Sequence, residues 1–196
     1  MRLSKYLALF SFLVASTHAY ATTYTIDGSH TQVGFKIKHL AISNVAGSFT
    51  DVKGSFTYDP SNPKASKAEA TIAVASINTQ QTKRDDHLRS PDFFNAAQFP
   101  EMRFVSREVT DVQGDSFKVA GDLTIHGVTK PVVLDVTYSG AAKDPGGNER
   151  AGFSATTKIN RKDFGLNWNK LLETGALIVG DEVTINLEVE GIKQNA

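Results

Sequence analysis

The densest set of reactive side chains lies between Thr82 and Phe94. Arg84, Asp85, Asp86, His87 and Arg89 fall within six residues, and Phe93 and Phe94 follow. A histidine among carboxylates and guanidinium groups offers acid–base chemistry, anion binding or metal ligation. The spacing predicts a short helix: Thr82 and Asp85 stand three apart, where a hydroxyl and a carboxylate can satisfy first-turn amides. Asp85 precedes Arg89 by four, an order that supports a helix by roughly a few tenths of a kcal/mol. Pro91 pushes Ser90 out of helical geometry. The carboxylate pairs Asp85–Asp86 and Asp181–Glu182 are adjacent in sequence, so their side chains point apart rather than share a proton. His30, His39 and His87 lack the i, i+2 or i, i+4 spacing of a ligand pair, and the chain has no cysteine. A barrel that gathered these three would still make a metal site, so a metal-binding protein or metal-dependent enzyme is the alternative reading. His126 precedes Gly127 and reads as a turn residue at positive φ. No nucleophile elbow, phosphate loop or dinucleotide fingerprint occurs.

The elements that must position these residues are strands. Apolar and polar residues alternate with period two through most of the chain. The pattern predicts roughly eight strands, near 23–27, 31–40, 46–58, 67–77, 101–110, 114–126, 128–140, and a pair at 150–160 and 182–192. The tetrapeptide Gly-Ser-Phe-Thr occurs at 47–50 and 54–57; its odd offset requires a bend near Asp51–Gly54 if Phe49 and Phe56 are both to face inward. No long amphipathic helix is available to cover a sheet, so the strands must form a sandwich or close on themselves. Long strands joined in sequence order favour an up-and-down barrel, which at eight strands is either filled by side chains or holds one small ligand.

The inner faces supply the candidate ligand-binding residues. They are Val33, Phe35, Ile37 and His39, then Phe56, Ile72, Val74 and Phe104. Leu123, Ile125, Leu134, Val136, Phe153, Ile185 and Leu187 continue the set along later strands. Arg84, His87 and Phe94 join from the helix region, and Phe164 and Trp168 from the long connection 161–181, a length that marks a functional flap. Packed core and lipid cavity both fit this inner face. Arg84, His87 and Arg89 have two matching fates, ion pairs at the rim or contacts to a ligand head.

Residues 1–21 read as a secretory leader. Arg2 and Lys5 precede the apolar run from Tyr6 to Ser16, and Ala19-Tyr20-Ala21 fits the small-x-small cleavage rule. Removing those 21 residues from 196 leaves 175, with 19 basic and 21 acidic side chains, enough for one domain over 22–196. Nothing in that balance suggests a nucleic-acid partner, which would call for a basic stripe. The apolar run is shorter than the ~20 residues of a membrane span, so no integral membrane protein is expected. A leader and no cysteine together point to the bacterial periplasm.

Four clusters of residues resemble one family. Thr25-Ile26-Asp27, Val33-Gly34-Phe35 and Lys38-His39-Leu40 resemble the opening of YceI proteins, and Arg84 with His87–Ser90, Asp92–Phe94 and Phe99-Pro100 resembles the central signature. Gly121–Val132 and the set Gly152–Ala155, Arg161–Gly165 and Val179–Val183 complete the likeness over the whole mature chain. The resemblance implies an all-β fold, an eight-stranded extended antiparallel lipocalin-like barrel with a short helical insertion at one end. It also implies a non-catalytic periplasmic carrier of a polyisoprenoid or other long-chain amphiphile, such as an isoprenoid quinone, a prenyl phosphate or a fatty acid derivative. Homodimerisation comes with the resemblance. Apart from the bound lipid, no cofactor or metal is expected.

Overall fold

The computed structural model describes residues 21–170 and 178–194. The expected leader, apart from Ala21, lies outside the described residues, as do Leu171 and Leu172 of the connection.

Eleven strands build eight long ones. β1 (Thr22–Ile26) and β2 (Gln32–His39) run end to end along one edge of β11 (Val179–Lys193). Ile26 lies opposite Gly191, and His39 opposite Val179. β3 (Ser43–Phe49) and β4 (Val52–Tyr58) return beside them, followed by β5 (Lys67–Ala73) and the two-residue β6 (Ile77–Asn78). After helix α1 (Thr82–Arg89) come β7 (Glu101–Gln113), β8 (Ser116–Ile125), β9 (Val128–Lys143) and β10 (Glu149–Asn160). The antiparallel order β1-β4-β5-β7-β8-β9-β10-β11 closes when β11 pairs with β1. The result is the expected eight-stranded barrel, lengthened at the helical end by β2, β3 and β6.

The segments expected at 23–27 and 31–40 are therefore one interrupted strand, and that expected at 46–58 is broken once. Between β1 and β2, the Asp27 carboxylate accepts hydrogen bonds from the Ser29 amide (3.0 Å) and hydroxyl (2.5 Å), turning the chain out and back. Between β3 and β4, the break at Thr50–Asp51 absorbs the odd offset of the repeated tetrapeptide. Phe49 and Phe56 are both buried as a result.

Helix α1 forms at the expected place, with different chemistry at its start. The Gln81 side chain caps it, accepting from the Arg84 amide at 3.1 Å. Asp85 turns inward instead, accepting from the Thr79 amide (2.9 Å) and hydroxyl (2.5 Å). Arg89 pairs with Asp86 at 3.1 Å rather than with Asp85, and donates to the carbonyls of Ala75 (2.9 Å) and Ile77 (2.8 Å). These bonds fasten the helix to the end of the barrel. His126 and Gly127, at φ 52 and 74, form the two-residue turn between β8 and β9, as the sequence predicts.

The interior divides into two clusters. At the helical end Phe49, Val52, Ile72, Val74, Ile77, Met102, Ile125, Phe164 and Leu166 are buried. At the far end the buried set is Tyr24, Phe56, Tyr58, Val109, Phe117, Val119, Val136 and Ala151, with Tyr138 and Phe153 packed against it. Outside this second cluster, Arg150 reaches Asp27 (2.7 Å), Asp144 (2.9 Å) and Glu190 (2.6 Å), tying the β1–β2 break to the β9–β10 hairpin and β11.

This arrangement sets a stability window. Asn148, then Arg150, hold the Asp144 carboxyl at about 2 against an ordinary 3.8. Ser29, Arg150 and His30 hold Asp27 well below the usual range. Such groups stabilise the fold above their ordinary value, and that stabilisation is lost as pH falls through the lowered one. Burial, reinforced by Glu149, pushes the Tyr24 phenol from 10.0 up to about 12, and burial also raises Tyr58 and Tyr138. Their contribution is complete below the ordinary value and lost as pH rises through the raised one. Denaturant midpoints should decline as pH drops from 3.8 toward about 2 and as it climbs from 10.0 toward about 12. A level profile across both windows would contradict these assignments.

Candidate functional site

A cavity of about 420 Å³ occupies the helical half of the barrel, within the roughly 300–1,000 Å³ typical of ligand pockets. Its wall is made in rows by strand register. Ile37, Val183 and Ile159 adjoin across β2, β11 and β10, and Phe35, Ile185 and Thr157 form the next row. Ala70, Phe104 and Leu123 make another across β5, β7 and β8.

Two glycines keep this space open. A Cβ on Gly47 would meet the Phe35 ring at 2.5 Å, and one on Gly121 would meet the Phe104 ring at 2.5 Å. Each ring lies against the wall over its glycine rather than across the lumen, so an aromatic residue lines the cavity without filling it.

The charged and histidine lining gathers at the helical end, with Thr79 beside it: Lys38, His39, Arg84, His87 and Arg161. Arg84 donates from Nε to the Thr79 hydroxyl (2.7 Å) and from Nη2 to the Thr79 carbonyl (2.8 Å). The His87 ring stands edge-on to Phe93 (5.0 Å) and Trp168 (4.9 Å), and its Nε2 shares a hydrogen bond with Asp92 at 2.9 Å. Arg161 is buried and donates to the carbonyls of Gly180 (2.8 Å), Trp168 (2.9 Å) and Leu166. Burial lowers the Arg161 pKa and Asp181 opposes that shift, but a guanidinium stays charged in proteins. It thereby clamps the start of the 161–181 connection to β11 and sets Trp168 against His87 and Phe93.

Of the twenty expected binding residues, fifteen line the cavity: Val33, Phe35, Ile37, His39, Ile72, Arg84, His87, Phe94, Phe104, Leu123, Ile125, Leu134, Trp168, Ile185 and Leu187. Phe56, Val136 and Phe153 face inward as their alternation requires, but in the far half, where aromatic rings fill the lumen. Val74 sits in a 3-10 turn between β5 and β6, where period two fails, and Phe164 in a 3-10 turn after β10; both are buried in the helical-end core beside the cavity. Arg89 anchors the helix and does not line the cavity. Phe49, Val52, Leu88, Phe93, Met102 and Arg161 line it without having been among those expected. Gly47 and Gly121 carry a signal in sequence, a glycine inside a strand marking close approach of another group.

The three histidines do not meet. His39 and His87 line the cavity, whereas His30 is on the outer wall, bonded to Asp27 at 2.8 Å. Among the described residues, the grouping of metal-ligand types is Asp27, His30 and Glu190. The Arg150 guanidinium lies 2.7 Å from Asp27 and 2.6 Å from Glu190, where a bound cation would have to sit.

An eight-stranded antiparallel barrel with an apolar cavity and a short helix at one end defines the class of extended, lipocalin-like barrels. The profile of the YceI-like domain matches residues 24–191, and the chain belongs to that family. Protein YceI of Escherichia coli is 42% identical over 94% of each chain. The crystal structure of Burkholderia cenocepacia BcnA superposes with a TM-score of 0.74 at 25% identity, covering 84% of this chain and 98% of that one. A polyisoprenoid binding domain from Saccharophagus degradans, implicated in plant cell wall breakdown, shares the fold at TM-score 0.65 and 14% identity, over 89% and 100% of the two chains.

Arg161→Leu removes the donor from the main-chain carbonyls of Leu166, Trp168, Val179 and Gly180, and the unfolding free energy should fall by roughly 3–5 kcal/mol. Trp168, the single tryptophan, should shift its emission to the red as its backbone anchor is lost. Chemical denaturation followed by fluorescence measures both. A loss below about 1 kcal/mol with unchanged emission would contradict the clamp.

Proposed function

We propose that this protein is a non-catalytic carrier of the bacterial periplasm that holds a polyisoprenoid or similar long-chain amphiphile. The carrying observation is the cavity itself: a lumen walled by aliphatic and aromatic side chains, with its cationic and histidine side chains collected at one end. A tail in the lumen gains about 0.8 kcal/mol for each buried methylene. A polar head at the helical end meets Arg84, His87 and His39. The polyisoprenoid binding domain from Saccharophagus degradans gives the same fold a ligand of this class. Wall contacts of this kind select for apolar length and bulk, not for one head group.

Among the described residues no helix is long and apolar enough to cross a membrane. The leader reading places the carrier beyond the inner membrane, and a homodimer is the assembly proposed with it.

Protein purified from the periplasm should release a long-chain isoprenoid on organic extraction, near one per chain by mass spectrometry. The stripped protein should quench or shift Trp168 emission on adding a polyprenol, since that ring lines the cavity. An empty extract together with no response to added polyprenol would sink the proposal. N-terminal sequencing of the periplasmic protein should begin at Thr22; a retained Met1 would overturn the leader.

A further inference from the structure

The barrel is hollow in one half and filled in the other, and the boundary is built from a small set of side chains. Ile26, Leu134 and Val189 line the cavity and also pack on the far-end cluster, so they are its floor. Directly beneath is Phe153, paired in register with Val189 on β11 and with Tyr138 on β9. Its ring lies 5.2 Å from Phe56, 5.0 Å from Tyr58, 5.1 Å from Tyr138 and 6.5 Å from Phe117.

Phe153 is thus the hub of an aromatic stopper. Gly191 completes it: a Cβ there would meet the Phe56 ring at 2.5 Å, so the glycine lets that ring settle against β11 beside Tyr24, with which it stacks at 5.0 Å. The Tyr24 hydroxyl donates to Glu149 at 3.1 Å, fixing the stopper to the β9–β10 hairpin. Below the floor, the same inward alternation that makes the cavity continues to the far end of the barrel. Only the size of the side chains changes.

We propose that this floor is a chain-length ruler, with Phe153 and Val189 determining the longest prenyl tail the barrel accepts. The inference rests on the carrier reading above and adds a specificity determinant to it. The polar lining at the helical end fixes where the head stays, so the tail tip meets the floor. A close-packed aromatic cluster does not yield to an extra methylene without displacing neighbours. A tail one unit beyond the limit must fold back or leave its end outside, and affinity falls by about tenfold or more.

The test uses stripped mature protein and a series of probes: farnesol, geranylgeraniol and longer all-trans polyprenols, with retention read by native mass spectrometry and Trp168 fluorescence. The wild type should show a cut-off above which affinity drops by about tenfold. Phe153→Ala should move that cut-off to longer chains, and Val189→Phe, which adds bulk to the floor, should move it to shorter ones. Opposite shifts in the two variants separate a ruler from general destabilisation, which would weaken all chains alike. Thermal melting of each variant checks that it is folded, and the Val189→Phe arm stands if Phe153→Ala does not fold. Binding with the same cut-off in all three proteins overturns the ruler while leaving the carrier reading intact. Binding of no prenyl chain by any of them overturns both.

Discussion

The double pairing of β11 is the constraint on which the rest of the structure depends. One edge of this strand follows β10 for its length; the other takes β2 over one stretch and β1 over the next. Because β1 and β2 are collinear, this closes the sheet and extends it past the ring in a single step. Within the ring of eight no strand edge is left to pair with another chain, whereas the extension ends on β3 and β6; the ring encloses a lumen that its own residues must fill or leave open. With no cysteine to brace the wall, that choice falls on inward side chains alone.

The two ends answer it differently with the same alternation. At the far end, Tyr24, Phe56, Tyr58, Phe117, Tyr138 and Phe153 converge, and ring contacts near 5 to 6.5 Å leave a packed aromatic core. At the helical end, inward positions are mostly aliphatic, and the rings of Phe35 and Phe104 lie over Gly47 and Gly121. The stability cost of a hollow half is carried by the filled half, by the Arg150 network outside it and by the Arg161 clamp. Helix α1 then supplies polar groups to a rim that strands alone would leave apolar. Arg89 holds the helix to the chain between β5 and β6 while Arg84 and His87 face the cavity.

Much of this was legible in the sequence because period two is a strong signal when one face is buried. The strand set, the inward Phe49 and Phe56 and most cavity residues follow from it, and the His126–Gly127 turn follows from its glycine. Alternation alone does not distinguish a barrel from a sandwich; long strands joined in sequence order favour the barrel, and the family resemblance implies it. Alternation names a face but not a depth, so Phe56, Val136 and Phe153 were grouped with residues of the other half. It also lapses in the 3-10 turn that holds Val74, while Phe164, expected in the long connection, packs in a 3-10 turn beside the cavity. Arg161 was hidden for another reason: its partners are main-chain carbonyls, which leave no mark on residue identity. The alternative grouping of His30 with His39 and His87 does not form, because the turn at Asp27 holds His30 outside the wall.

The most direct test of the account is a crystal structure of the protein with its extracted lipid, or a polyprenol, bound. The account predicts continuous density for an apolar tail along Phe35, Ile72 and Ile185, with the head beside Arg84 and His87 and the tip resting above Phe153. Lipid on the outer wall, or a tail running past Phe153 among Tyr58 and Phe117, would contradict it.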